Sequence, residues 1–136
     1  MTEKKEIAKV GVAAIRDGHL LVVREFGTSL FILPGGRPEL GEDDVTALNR
    51  EIYEELGTGM ANSKLEFLGA FSDVAANDPD KIVTVRLYLG RPEEPIKALG
   101  EIEEIKWFDP NRDDYQILAP SIRNGILPFL KSARLL

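Results

Sequence analysis

What most restricts this chain is where its hydrophobic period changes. In the first thirty-four residues the apolar side chains alternate or run in short stretches, the habit of strands. From Asp43 to Leu56 they recur at three and four residues, at Val45, Leu48, Ile52 and Leu56, which is one face of a helix. Asp43 or Asp44 can cap its start and Gly57 can end it. Strand habit then returns, and a second helical spacing follows near the end.

The strand readings are specific. "KVGVAAI" and "RDGHLLVVRE" flank an Asp17-Gly18 turn, a hairpin signal. "SLFILPGG" is a third strand closed by Pro34 and two glycines. "KLEFLGAFS" and "IVTVRLYLG" are two more, separated by a polar loop, "DVAANDPD", and "EIEEIKWF" is another. The last helix is expected across Ala119 to Lys131, with Ile122, Ile126 and Leu130 spaced by four. Pro120 suits its first turn, whereas Pro128 weakens or kinks its middle. The plan is strands, helix, strands, helix: a mixed α/β fold, with no repeat or linker and a proline-rich connection from Arg91 to Gly100. Its 136 residues suit one compact domain, 1–136.

Composition narrows the function. There is no cysteine, so disulfides, thiolate nucleophiles and cysteine metal sites are excluded. The net charge of −6 argues against a general binder of nucleic-acid polymers. It leaves room for a small polyanion, since a bound divalent cation inverts the local field. No run approaches the roughly 20 apolar residues that span a bilayer. The apolar part of "MTEKKEIAKVGVAAI" is too short and interrupted for a signal peptide, so a cytoplasmic protein without membrane partners is expected.

The first helix breaks local rules. Glu51, Glu54 and Glu55 crowd its last turns, beside the core-facing stripe of Leu48, Ile52 and Leu56. Glu51 and Glu55 are like charges four apart, costing about 0.2–0.5 kcal/mol. Glu54 and Glu55 face the negative end of the helix dipole, costing about 0.3–1 kcal/mol each. Arg50, four residues before Glu54, can pair with it. A solvated acidic face is the ordinary explanation for such a run. A hard divalent cation resolves every conflict at once: magnesium takes few carboxylates and keeps waters for a phosphate.

The residues before the helix favour the cation. Gly36 is followed by five residues, Glu42, seven more, and then Arg50-Glu51-Ile52-Tyr53-Glu54-Glu55-Leu56-Gly57. This resembles the signature box of the Nudix hydrolases, MutT-like proteins included, over 23 residues; Thr58 departs from it where a bulky apolar residue is usual. The resemblance implies an α/β/α sandwich with a mixed sheet. It implies that Glu51, Glu54 and Glu55 bind magnesium, with manganese as a substitute, often with the carbonyl of Gly36, and that these glutamates are the catalytic residues. Glu54 or Glu55 would deprotonate or orient the attacking water. Glu42 and Arg50 would be structural, holding the loop and aiming the ligands. The implied reaction is hydrolysis of a nucleoside diphosphate linked to another moiety. A Nudix-like module that senses a nucleotide without cleaving it is the alternative, but such modules usually lose ligand glutamates and this chain keeps them.

Outside the box the residues speak less. Arg24 and Arg37 can reach a phosphate, and Glu101 is the favoured extra glutamate among Glu101, Glu103 and Glu104. Lys81 and Arg86 read as ordinary surface charges, and His19 as a surface residue. Trp107 and Phe108 read as packing, as do Phe26, Phe31 and Phe71 before any role in a base pocket. Family subgroups acting on ADP-ribose or dinucleoside polyphosphates carry a proline or a tyrosine, respectively, shortly beyond the box; Gly59 to Asp78 contains neither. By elimination the expected substrate is a nucleoside triphosphate or modified nucleotide. The resemblance also leaves a homodimer open.

Overall fold

The computed structural model describes residues 4–61 and 65–136; Lys64, where one strand was expected to begin, and the first three residues lie outside that range. Strands β1 (Lys5–Ala13), β4 (Gly35–Gly36), β5 (Glu66–Ala75) and β6 (Asp78–Leu89) form a mixed sheet in the order β4-β1-β6-β5. Within it β1 and β6 run parallel and the other pairs antiparallel. Strands β2 (Ile15–Arg16), β3 (His19–Glu25) and β7 (Ile102–Phe108) make a second, antiparallel sheet in the order β2-β3-β7.

The expected first hairpin is therefore corrected. Asp17 and Gly18 do make a tight turn, both with positive φ (51° and 75°), as a type I′ hairpin requires. It joins β3 to the two-residue β2, while β1 belongs to the other sheet. "SLFILPGG" is likewise not one strand. Ile32 exchanges two hydrogen bonds of 2.8 Å with Val23, and Gly35 and Gly36 pair with β1, so the segment ties one sheet to the other. The polar loop over 73–80 shrinks to a turn at Ala76 and Asn77, because its polar residues continue the ladder of the β5–β6 hairpin.

Strand alternation decides what each face buries. On β3, Leu20 and Val22 enter a core with Phe108, Ile122, Ile126, Leu127 and Leu130. Leu21 and Val23 enter another with Leu48, Ile52 and Leu56 of α1 (Asp44–Leu56). Each fully buried side chain of this kind contributes about 1.5–3 kcal/mol. The helices thus cover opposite faces of the strands, an α/β/α sandwich. No described helix is long and apolar enough to cross a membrane.

Helix α1 starts at Asp43, whose carboxylate accepts from Thr46 N at 2.8 Å, and ends at Gly57 in the left-handed region. Its buried stripe differs from expectation: Val45 is 47% exposed, and Ala47 is buried instead. Ala47, Glu51 and Glu55 therefore follow one another, four apart, along the edge of the core. The C-terminal helix, 120–132, opens at Pro120 and contains a π turn, Ile122–Ile126, before α2 (Leu127–Ser132). Leu127 N donates to Ile122 O, one residue further back than in an α-helix. Pro128, which has no N–H to give, follows at once, so the expected disruption takes the form of a widened turn.

Arg86 is not the surface charge the sequence suggested. It donates to both carboxylate oxygens of Asp44, at 2.8 and 2.7 Å, and Tyr88 Oη donates to the same carboxylate at 2.8 Å. Lys81 does make only a local pair, with Asp78 at 3.1 Å.

Candidate active site

Two glycines bring the helix and the strands together. Gly35 has φ +141°, and a Cβ there would lie 2.1 Å from Val10 O of β1. A Cβ on Gly36 would lie 2.5 Å from the carboxyl carbon of Glu51. Only hydrogen at these positions lets the backbone sit against β1 on one side and the α1 carboxylates on the other.

Glu55 is 8% exposed and accepts from Gly35 N at 3.1 Å. Burial pushes its carboxyl up to about 8, and the nearby Glu51 and Glu25 push in the same direction; the Gly35 bond and Lys9 oppose this and lose. Burial also raises Glu51, against the Arg50 guanidinium. The two carboxyls lie four residues apart on the same helix edge, close enough for each to affect the other. Burial and the neighbouring negative charge both favour the protonated form of Glu55.

Arg50 organises the other side. Its Nε and Nη2 grip Glu42 at 2.8 and 2.9 Å, its Nη1 meets Glu51 at 2.9 Å and Glu54 at 3.4 Å, and Nη2 donates to Arg37 O at 3.1 Å. Glu42 also accepts from Glu39 N at 2.7 Å. These bonds, Arg50 first, hold the Glu42 carboxyl down to about 2. The loop before α1 is thereby fastened to the helix. Glu54 stays solvent-facing, with its side chain 54% exposed.

The remaining sequence candidates fall as follows. Arg24 is engaged with Glu103 at 2.8 Å, Glu104 at 3.2 Å and Thr28 O at 2.9 Å, holding β3 to β7 and to the turn after β3. Arg37, inside the box directly after Gly36, is exposed. Glu101 is exposed in the turn before β7, where its carbonyl accepts from Phe26 N. Phe31 and Phe108 are buried, Phe71 packs on Phe129, Phe26 is exposed, and Trp107 lies under the Arg16 guanidinium at 4.2 Å. His19 is half-buried at the surface, its Nδ1 2.7 Å from Asp17 O.

Two residues escaped the sequence reading. Glu25 continues the Leu21-Val23 alternation toward α1, and a register shift follows Arg24, leaving Glu25 opposite the buried Ile102. Its carboxyl is raised first by burial, and the nearby carboxyls of Glu101 and Glu51 push the same way while Lys9 opposes them. A carboxylate at the next inward position of an apolar strand was the available signal. Lys9 is the other, on the wall of a largely aliphatic cleft.

That cleft has a cavity volume of about 70 Å3, and Gly35 and Gly36 are among the residues that line it. Its walls are mainly aliphatic: Ile7, Leu33, Val83, Val85, Ile122 and Ile126 are among them. The π turn forms one side, and such turns concentrate at functional sites.

The site as it stands is short of positive charge. Glu25, Glu51 and Glu55 all hold protons more tightly than ordinary carboxyls. Among the described residues, no three His, Asp or Glu side chains form a closed ligand set, and Arg50 Nη1 reaches both Glu51 and Glu54, at 2.9 and 3.4 Å. The donors are nonetheless hard oxygens, suited to a hard divalent cation.

Comparison with known proteins bears on the family and the fold. A family model described as the NUDIX domain matches residues 5–126. A MutT-like protein of Streptomyces ambofaciens is 26% identical over 106 residues, covering 77% of this chain and 64% of that protein. The matched region is thus under two thirds of that relative's length. The crystal structure of a MutT protein from Methanosarcina mazei Go1 superposes with a TM-score of 0.76 at 21% identity, covering 98% and 99% of the two chains. A MutT NUDIX hydrolase from Burkholderia pseudomallei gives 0.73 at 23%, covering 88% and 95%.

Proposed function

Because this chain belongs to the NUDIX domain family, we propose that it is a pyrophosphohydrolase, acting with magnesium on a nucleoside diphosphate linked to another group. A nucleoside triphosphate or a modified nucleotide is the substrate class we favour. The observation that carries this reading is the pairing of Glu51 and Glu55, half-buried and buried against the Gly35–Gly36 backbone, at a helix end with no basic residue in its last turn.

Glu51, Glu54 and Glu55, with the carbonyl of Gly36, would hold the cation. When bound it neutralises polyphosphate charge and lowers the pKa of water. The protein's own groups divide the remaining work. Glu55 and Glu51 are anchored by Gly35 N and Arg50, so their oxygens are fixed before substrate arrives. Glu54, the most exposed of the three, is the one we assign to take the proton of the attacking water. Water adds to one phosphorus, the bridging P–O bond breaks, and the phosphate oxygen leaves with the bonding electrons. Arg50 and Glu42 hold this set in place without touching substrate.

The test is a panel of nucleoside triphosphates, nucleotide sugars and dinucleotides, assayed with magnesium, with manganese and with a chelator. Metal-dependent release of a nucleotide and a phosphate or pyrophosphate is expected. Tight metal-dependent binding without product would instead make this chain a nucleotide sensor.

A further inference from the structure

Lys9 stands where the strand pattern calls for an apolar residue. On β1 the side chains of Ile7, Lys9, Gly11 and Ala13 share one face: Ala13 lies in the core under α2, Ile7 packs against that core, and a Cβ on Gly11 would touch Val85. Val10 and Val12 point the other way, toward α1. Lys9 is half-buried and is the one charged side chain among the described residues lining the aliphatic cleft. Its ammonium forms no hydrogen bond or ion pair with the described residues. Its charge nevertheless reaches Glu25 and Glu55, which places it at the boundary between cleft and carboxylates.

An ammonium kept in such a wall, without a partner, is a local rule broken at one point. Arg24 and Arg50 are already engaged with carboxylates, and Arg37, inside the box, is exposed and does not line the cleft. Lys9 is free to meet an anion arriving from solvent. We propose that Lys9 binds the substrate phosphate that lies between the carboxylate cluster and the aliphatic cleft, so that the cleft receives the organic end of the molecule. Only the phosphates of a nucleotide carry formal charge, and a half-buried ammonium is best satisfied by one of them. The cleft offers one other polar side chain, the hydroxyl of Ser121, and no aromatic ring on which a base could stack. Recognition there falls on shape, and charge recognition falls on Lys9. This inference rests on the pyrophosphohydrolase reading.

The experiment compares the full chain with Lys9→Met and Lys9→Arg. KM and kcat are measured on nucleoside triphosphates carrying different bases, and inorganic tripolyphosphate with magnesium serves as a base-free ligand, its affinity read by calorimetry. For Lys9→Met we expect KM to rise about tenfold or more whatever the base, the loss of one charge-assisted contact. Tripolyphosphate should weaken in parallel, kcat should change little, and Lys9→Arg should restore most of the affinity. A penalty that varies with the base and spares tripolyphosphate would move Lys9 to the base edge and overturn the proposal. So would an unchanged KM with tighter magnesium binding, which is what a mere counter-charge for Glu25 and Glu55 gives. If the unaltered chain turns over nothing, the hydrolase reading fails, and the tripolyphosphate comparison still decides Lys9.

Discussion

Arg86, in β6, grips Asp44, the first residue of α1, through two hydrogen bonds of 2.8 and 2.7 Å. The contact joins residues 42 apart in sequence and sets where the helix begins on the sheet. Everything α1 carries, Glu51 and Glu55 above all, is aimed from that point. Arg86→Met should therefore destabilise the fold by about 1–2 kcal/mol, the lower end for a charged hydrogen bond because both partners remain partly solvated. Chemical denaturation measures it, and a double-mutant cycle with Asp44→Asn should show strong coupling. Additive effects would reduce the pair to an ordinary surface contact.

Gly36→Ala puts a methyl group onto the Glu51 carboxyl, the flexible end of a side chain. The helix can stay in place while Glu51 moves aside. We expect turnover to fall about a hundredfold, as for a roughly 1 Å misplacement, with little change in melting temperature. A variant that melts early in proportion to its loss of activity would assign the glycine to packing instead.

Glu54→Gln and Glu55→Gln should separate two kinds of loss. Both lower turnover by about 10²-fold or more while the fold survives. Glu55→Gln should also weaken magnesium binding in calorimetry, whereas Glu54→Gln should keep more of it. Equal loss of metal affinity in both would withdraw the proton-acceptor role from Glu54.

Acid stability should follow Glu42. Its folded value of about 2 lies below the ordinary 4.5, so its contribution is complete above that value and fades as pH falls toward 2. The gap in melting temperature between the unaltered chain and Glu42→Gln should be constant at neutral pH and close in that acid window. A gap that persisted to pH 2 would mean that charge on Glu42 is not what matters.

Glu55 gives the opposite sign. Its folded value of about 8 lies above the ordinary 4.5, so the metal-free folded chain holds a proton that the unfolded chain has lost. Stability in the presence of a chelator should fall as pH rises through that window and level off beyond it. Glu55→Gln should flatten the curve, and magnesium should stabilise the unaltered chain most at the alkaline end. A flat chelated curve would place Glu55 in water rather than in the core.

How much of this was legible beforehand depends on whether the signal was local. The acidic end of α1, its cap at Asp43 and its stop at Gly57 were readable, because helix period and capping act over a few residues. So was the pairing of Arg50 with Glu54 four residues on. Val45 was misassigned because the wheel alone does not say which edge of a stripe the sheet covers. Arg86 was misread because its partner lies 42 residues away, and Glu25 was passed over because its inward position matters only once α1 lies across β3.

The sequence by itself determined the alternation of strand and helix regions, the extent and caps of α1 and the carboxylates that crowd its end, all of which follow from spacing within a single stretch of chain. The tertiary structure alone decided that the strands divide into two sheets bridged at 31–36. It alone brought Glu25 and Lys9 beside Glu55, and opened an aliphatic cleft against the glycine pair. These depend on which faces meet, and pairing between distant strands leaves no periodic trace in either partner.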